Sequence, residues 1–212
     1  RWLKFSKYLK RNKWDPIIVT PKNPYSELTD EKLSEEIGNL NVLKFPIWEP
    51  YSLKDKIFGK SKKSQNSGLV SKNKSLKGFC LNWIRANFFI PDPKKYFVKP
   101  TIKSLIKYIE ENKINHIITT GPPHSMHLIG LGIKKRFNQI KWIADFRDPW
   151  SKLDLLNDFY LTKRTRFKHI QLEKQVLENS DLVLTVSEKW AKDFKNLGAS
   201  NVVPPDSDDI VS

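Results

Sequence analysis

Apolar positions along the chain follow the spacings of short buried strands and of amphipathic helices. The clearest helix is predicted over residues 101–112, where Ile102, Leu105, Ile106 and Ile109 share one face. Apolar runs that predict strands follow at 116–119, 141–144, 181–186 and 201–203. Helical patterns alternate with these runs at about 125–137, 155–179 and 188–197. This alternation indicates βαβ units, and therefore a doubly wound α/β domain: a Rossmann-like three-layer arrangement with a mainly parallel sheet.

The first half of the chain carries weaker patterns of the same kind. Residues 1–11 form an amphipathic helix, with Trp2, Phe5, Tyr8 and Leu9 on the face opposite Lys4, Lys7 and Arg11. Strands are predicted at 17–19 and 42–47, and a helix is predicted over 78–90 before Pro91. We expect one domain over residues 1–203, followed by a linker or tail at 204–212.

The chain is strongly basic, which favours anionic partners. The 212 residues include 38 Lys and Arg against 23 Asp and Glu, a net charge of +15. Residues 54–77 hold eight lysines and one acidic residue among Ser, Asn and Gly, a composition that predicts a solvated basic insertion. This insertion is either a plain surface loop or a contact for anionic membranes. No apolar run approaches the roughly 18 residues that span a bilayer. A single cysteine, Cys80, excludes an internal disulfide framework.

The first candidate site segment is Thr119-Thr120-Gly121-Pro122-Pro123-His124-Ser125-Met126-His127, a strand end, a rigid turn and a helix start. Free N–H groups at a helix N-terminus favour phosphate, and Ser125 is a candidate cap for that helix. His124 and His127 lie three residues apart, on one face of its first turn. The alternative is that His127 packs in the core and His124 fills the turn.

The second candidate segment is Asp145-Phe146-Arg147-Asp148-Pro149-Trp150, which also follows a predicted strand. Asp145 and Arg147 form either a structural ion pair or part of a clamp for sugar and phosphate groups, since a guanidinium binds phosphate through two hydrogen bonds. A divalent-metal site at Asp145 and Asp148 has no other support, and we predict none. The chain has no G-x-G-x-x-G, P-loop or G-x-S-x-G motif.

Together these segments resemble the N-terminal domain of glycosyltransferase family 4 (GT-B, group 1) enzymes of bacterial envelope polysaccharide biosynthesis. The paired Gly-Pro-Pro-His-Ser and Trp142–Trp150 blocks carry the resemblance most specifically. Arg1–Phe5, Trp14-Asp15-Pro16, Ile90–Pro93, Leu172-Glu173-Lys174 and Ser180–Val183 also fit. The resemblance covers most of the chain.

The resemblance implies the acceptor-side half of a retaining, hexosyltransferase-type enzyme. Such an enzyme moves a sugar from a nucleotide-sugar donor to an envelope glycan or a lipid-linked acceptor. It needs no metal and no cofactor beyond the donor. It would work in the bacterial cytoplasm, peripherally on the inner face of the membrane. The basic helix 1–11 and the segment 54–77 would then form its membrane contacts. The implied catalytic residues are Arg147, Asp145 and His124, with Asp145 orienting Arg147. The implied substrate contacts are Thr120, Gly121, Pro122, Ser125, His127, Asp148 and Trp150.

Two departures from the family pattern limit what the chain is expected to do alone. The family's first strand with its Gly-rich loop would precede Arg1, and the C-terminal, donor-binding domain would follow Ser212. We therefore predict that the isolated chain transfers no sugar. The alternatives are a basic nucleic-acid-binding module and a noncatalytic sugar-binding domain. Nucleic acid is not the partner we expect, because the aromatic residues mostly fall at core positions of the predicted helices.

Overall fold

The computed structural model describes residues 2–22, 38, 40–47, 83–84, 86–152 and 160–204. The chain divides into two compact units, residues 1–69 and 70–212. A single domain over 1–203 stays a prediction. The basic segment 54–77 and residues 205–212 of the expected tail lie outside the described residues.

The first unit contains helix α1 (Trp2–Arg11) and two parallel strands, β1 (Ile17–Pro21) and β2 (Asn41–Phe45), paired in register from Ile17 with Asn41 to Pro21 with Phe45. The helix confirms the N-terminal amphipathic pattern, but its buried residue is Ser6, whose hydroxyl donates to the carbonyl of Trp2. Phe5 and Tyr8 from the expected apolar face are exposed. The face that a helix buries is set by its packing partners, and hydrophobicity alone did not predict it.

In the described part of the second unit, a four-stranded parallel sheet has helices between its strands. Its elements are α2 (Lys95–Asn112), β3 (His116–Gly121), α3 (Ser125–Arg136), β4 (Lys141–Phe146), α4 (Lys163–Asn179), β5 (Leu182–Thr185), α5 (Glu188–Asn196) and β6 (Val202–Val203). The strands lie in chain order, β3-β4-β5-β6. The α/β class and the parallel, Rossmann-like arrangement are therefore confirmed, and within this sheet the order does not reverse.

Two helices begin at positions other than those predicted. Helix α2 begins six residues before 101 and contains Pro100, because the Asp92 carboxylate accepts from Lys94 N at 2.9 Å and starts the helix upstream. Buried Phe97 and Val98 then hold that first part in place. Helix α4 begins at Lys163, where the Thr162 hydroxyl accepts from Thr165 N at 3.1 Å. The predicted start at residue 155 falls within 153–159, which lie outside the described residues.

The last helix follows its sequence signals. The Ser187 hydroxyl accepts from Trp190 N at 3.3 Å, and Gly198 adopts a φ of +114°, the left-handed region that glycine tolerates best. Helix α5 packs on β5 and β6, with Phe194 buried in the core. Trp142, Phe146, Trp150, Val176 and Leu177 complete the centre of that core. No helix in the described ranges is long and apolar enough to cross a membrane.

Candidate functional site

The two candidate segments meet at the carboxyl ends of neighbouring parallel strands. Thr120 pairs with Asp145 and Gly121 with Phe146 in the β3–β4 register. The backbone N–H of Arg147 then donates to the carbonyl of Gly121 at 3.2 Å, which ties the two loops together. Ligands of open parallel sheets bind beyond the carboxyl ends of the strands, so this edge is where a site is expected.

Asp145 is fully buried beneath this edge, and its Oδ2 accepts a hydrogen bond from the Thr120 hydroxyl at 2.8 Å. Arg147 and Asp148 are exposed. The carboxylate of Asp145 is thus directed across the sheet to Thr120. That contact secures the strand ends, whereas the expected role of Asp145 in orienting Arg147 stays a prediction.

A stack of aromatic and imidazole rings fills the space below the two loops. The His124 ring lies 5.1 Å from the Trp150 ring at an interplanar angle of 4°. The His127 ring lies 4.3 Å from the Phe146 ring at 16°, and the two histidine rings are 5.9 Å apart. All four side chains are buried. Both predicted histidines therefore belong to the packed interior beside the site, and neighbouring rings cover the faces of their imidazoles.

One hydrogen bond holds the His127 ring. The Thr119 hydroxyl lies 2.9 Å from Nδ1 of His127 and accepts from the indole Nε1–H of Trp142 at 2.9 Å. Because a hydroxyl can donate one hydrogen bond and accept two, it suits either neutral tautomer of His127. Nε2 is buried and has no hydrogen-bond partner among the described residues.

His124 offers two further buried nitrogens. Neither Nδ1 nor Nε2 has a hydrogen-bond partner in the described part of the chain. A Cβ placed on Gly121 would lie 2.6 Å from Nε2 of His127 and 2.9 Å from Nδ1 of His124, so both nitrogens face the glycine. The turn therefore brings its backbone within contact of two imidazoles only because residue 121 has no side chain.

Burial keeps these histidines neutral. It lowers the pKa of His124 to about 3, with a smaller effect from His169, and it lowers the pKa of His127 well below its ordinary value. At neutral pH the two rings can accept or donate hydrogen bonds, but they carry no charge. Positive charge at the site comes instead from exposed Arg147.

The helix start beside the turn is arranged differently from the prediction. The N-cap of α3 is His124 without a side-chain cap, so the expected capping role of Ser125 is wrong. The carboxylate of Asp92 accepts from both Ser125 N and Ser125 Oγ at 2.8 Å. Burial raises the pKa of Asp92, although these hydrogen bonds oppose the shift. A carboxylate of the chain thus occupies part of the helix terminus that we expected to be free for phosphate.

A second buried carboxylate holds the other loop. Glu173 of α4 accepts from Trp150 N at 3.0 Å and Ser151 N at 3.1 Å, and burial raises its pKa despite these bonds. His169, one turn earlier on the same buried face, accepts from Trp150 Nε1 at 3.0 Å. Its pKa is lowered to about 4 by burial, with a smaller effect from Arg166. Helix α4 therefore fixes both the backbone and the ring of Trp150.

The structure brings most of the predicted site residues together. Gly121, His124, Ser125, His127, Asp145 and Trp150 form the buried layer, Thr120 is half-buried, and Pro122, Arg147 and Asp148 lie at the exposed rim. The sequence analysis assigned no role to Asp92, His169 or Glu173. Glu173 falls in the Leu172-Glu173-Lys174 motif of the resemblance, and the i, i+4 spacing of His169 and Glu173 places both on one face of a helix. The described residues contain no group of three or more potential metal ligands from His, Cys, Asp and Glu.

Comparison with known proteins adds no relative. No family model, curated protein or solved structure matches the chain. The geometry of the site and the motif resemblance therefore carry the functional assignment.

Proposed function

We propose that the chain is the acceptor-side domain of a retaining glycosyltransferase, which moves a sugar from a nucleotide-sugar donor to an envelope glycan or lipid-linked acceptor. The observation that carries the proposal is the meeting of the Gly-Pro-Pro-His-Ser turn with the Asp-Phe-Arg-Asp-Pro-Trp loop. They lie side by side at one sheet edge and are joined by the bond from Arg147 N to Gly121 O. Both motifs of the resemblance therefore contribute to a single site.

The chemistry of that edge suits sugar transfer. In such a reaction the leaving phosphate gains negative charge, which an exposed guanidinium stabilises through paired hydrogen bonds. We assign Arg147 to the phosphate side and Asp148 to an acceptor hydroxyl, since both are exposed at this edge. The buried imidazoles of His124 and His127 lie directly beneath Gly121, and we assign them to holding the turn whose backbone meets the sugar.

The proposed setting is the inner face of a bacterial cytoplasmic membrane, where a lipid-linked acceptor would be presented. The motif resemblance and the basic composition support this setting. In the sequence analysis the contacts were assigned to residues 1–11 and 54–77. Helix α1 is present and carries Lys10 and Arg11 in its last turn, whereas 54–77 lies outside the described residues.

The experiment is sugar transfer from a panel of nucleotide-sugars to extracted envelope lipids, measured with protein in which this chain is joined to a donor-binding domain. Arg147→Ala should lower kcat/KM by about a hundredfold, the size typical of losing one group that stabilises developing charge. Arg136→Ala, an exposed arginine on α3 outside the site, is the matched control. Unchanged turnover in Arg147→Ala would remove its assigned role, and sugar transfer by the isolated chain would overturn the acceptor-side assignment.

A further inference from the structure

One face of the second unit combines exposed apolar side chains with basic ones. Phe88, Tyr160 and Phe167 are 62%, 69% and 62% exposed, and Ile84 is 43% exposed. Such large fractions are unusual for three aromatic rings in one region, because exposed apolar area is normally scattered. We call this face the aromatic-basic surface and define it by Ile84, Phe88, Tyr160, Phe167, Lys95, Lys163, Arg164 and Lys168.

Hydrogen bonds place the parts of this surface next to one another. The side chain of Asn87 donates to the carbonyl of Tyr160 at 3.2 Å and accepts from Thr162 N at 2.9 Å. The Lys95 ammonium donates to the carbonyl of Phe88. Asn87 therefore fixes the helical residues around Phe88 against the segment that leads into α4, with contacts to residues 73 and 75 positions further along the chain.

Positive charge is concentrated at the start of α4. Lys163, Arg164 and Lys168 are exposed, and the first turn contains no acidic residue. The N-terminus of a helix is already the positive end of its dipole, so basic side chains there are unfavourable for the helix itself. Burial lowers the pKa of Lys95, and the nearby charge of Lys168 lowers it further by a smaller amount. Binding of an anionic partner would relieve this repulsion.

We propose that the aromatic-basic surface docks on a membrane that contains anionic phospholipids, with Phe88 and Phe167 inserted at the level of the headgroups. Positions 163, 164, 167 and 168 share one face of α4, so Phe167 projects from among basic side chains. Aromatic rings surrounded by Lys and Arg match the interface between headgroups and acyl chains. The surface differs from residues 1–11 and 54–77, to which the sequence analysis assigned the membrane contact.

A lipid surface fits these residues better than a nucleic acid does. Ile84 and Phe88 lie four residues apart in a helical segment and share a side of it. An exposed isoleucine contributes apolar area to an acyl-chain boundary, but it offers no ring on which a base could stack. The exposure of these rings nevertheless shows that the argument from core positions against nucleic acid does not hold here, so an oligonucleotide belongs in the test.

The test is flotation of the full chain with vesicles of phosphatidylcholine alone or with one third phosphatidylglycerol. We expect binding to the anionic vesicles only. The charge variant Lys163→Gln/Arg164→Gln/Lys168→Gln should weaken it by roughly tenfold or more, since each basic residue at the surface contributes and salt screens the sum. Phe88→Ser/Phe167→Ser should also weaken it. Lys103→Gln/Lys135→Gln/Lys192→Gln removes equal charge from exposed positions elsewhere and should bind like the unmodified chain.

Each other result overturns the proposal. Equal binding to neutral vesicles removes the role of charge, and unchanged binding of the phenylalanine pair removes insertion. Equal weakening by the control triple shows a general effect of net charge. Loss of binding in Phe5→Ser/Tyr8→Ser but not in Phe88→Ser/Phe167→Ser assigns the contact to α1, and tighter binding of a single-stranded oligonucleotide identifies a nucleic-acid surface. None of these outcomes bears on sugar transfer, which the Arg147 experiment tests separately.

Discussion

The indole N–H of Trp150 donates to Nδ1 of His169 at 3.0 Å, in the buried space between the loop after β4 and helix α4. Since Nδ1 is the acceptor, the proton of neutral His169 is assigned to Nε2. On its other side the Trp150 ring stacks on His124. His169 of α4 thereby sets the position of the Trp150 ring in the candidate site.

Removal of the Glu173 carboxylate should destabilise the protein. Glu173→Ala leaves Trp150 N and Ser151 N without their acceptor, and we expect the free energy of unfolding to fall by about 2–4 kcal/mol. Glu173→Gln keeps one acceptor oxygen and should cost less. Urea denaturation measures both. Glu178→Ala, an exposed residue of the same helix, is the control and should remain within about 0.5 kcal/mol. A Glu173→Ala variant as stable as this control would contradict the support we assign to the carboxylate.

Asp92 should matter for two helices at once. Its carboxylate accepts from Lys94 N before α2 and from Ser125 N and Oγ at the start of α3. We expect Asp92→Ala to lower the free energy of unfolding by about 1–3 kcal/mol, because a helix N-terminus loses its acceptor and the Ser125 hydroxyl loses a partner. Asp92→Asn retains an acceptor and should recover part of the loss. Thermal unfolding measures both variants. Equal stability of Asp92→Ala and Asp92→Asn would contradict the role of the Asp92 oxygens as hydrogen-bond acceptors.

Stability should depend on pH through the buried histidines. The unfolded chain takes up protons at its histidines near pH 6.5, whereas folded His169 and His124 do so only near 4 and 3. The unfolded state therefore binds more protons between these values, and the free energy of unfolding should fall as pH decreases from 6.5 towards 4. Urea denaturation across this range should show a shallower slope for His169→Gln than for the unmodified chain.

The buried carboxyl groups act in the opposite direction. The raised pKa values of Asp92 and Glu173 mean that the folded state keeps these protons to a higher pH than the unfolded state does. Their stabilising contribution is lost as pH rises through the folded values. Both the unmodified chain and His169→Gln contain these two carboxyl groups. The difference between their slopes of unfolding free energy against pH therefore reports on His169 alone. Identical slopes would contradict the assigned role of His169.

Gly121 should not tolerate a side chain. The Cβ of Gly121→Ala would lie 2.6 Å from Nε2 of His127 and 2.9 Å from Nδ1 of His124, and both rings are held in a packed stack. We expect loss of sugar transfer in the joined protein together with a fall in melting temperature. Gly132→Ala is the comparison, because its Cβ would meet only the methyl end of the Ile102 side chain, which can rotate away. A Gly121→Ala variant with full activity would show that close packing of the turn on the two imidazoles is not needed for sugar transfer.

The sequence alone determined the α/β class, the parallel strands β3 to β6 and the ends of helix α5, because periodic burial and capping depend on residues close together in the chain. It also predicted that the two motif segments lie at strand ends. Tertiary structure decided what surrounds them. Asp92 reaches Ser125 across 33 positions, and His169 reaches Trp150 across 19. Such contacts depend on how helices pack on the sheet, and no local pattern encodes that. Packing likewise buried His124 and His127 and left Phe88 and Phe167 exposed, since burial is a property of the neighbours that the fold supplies.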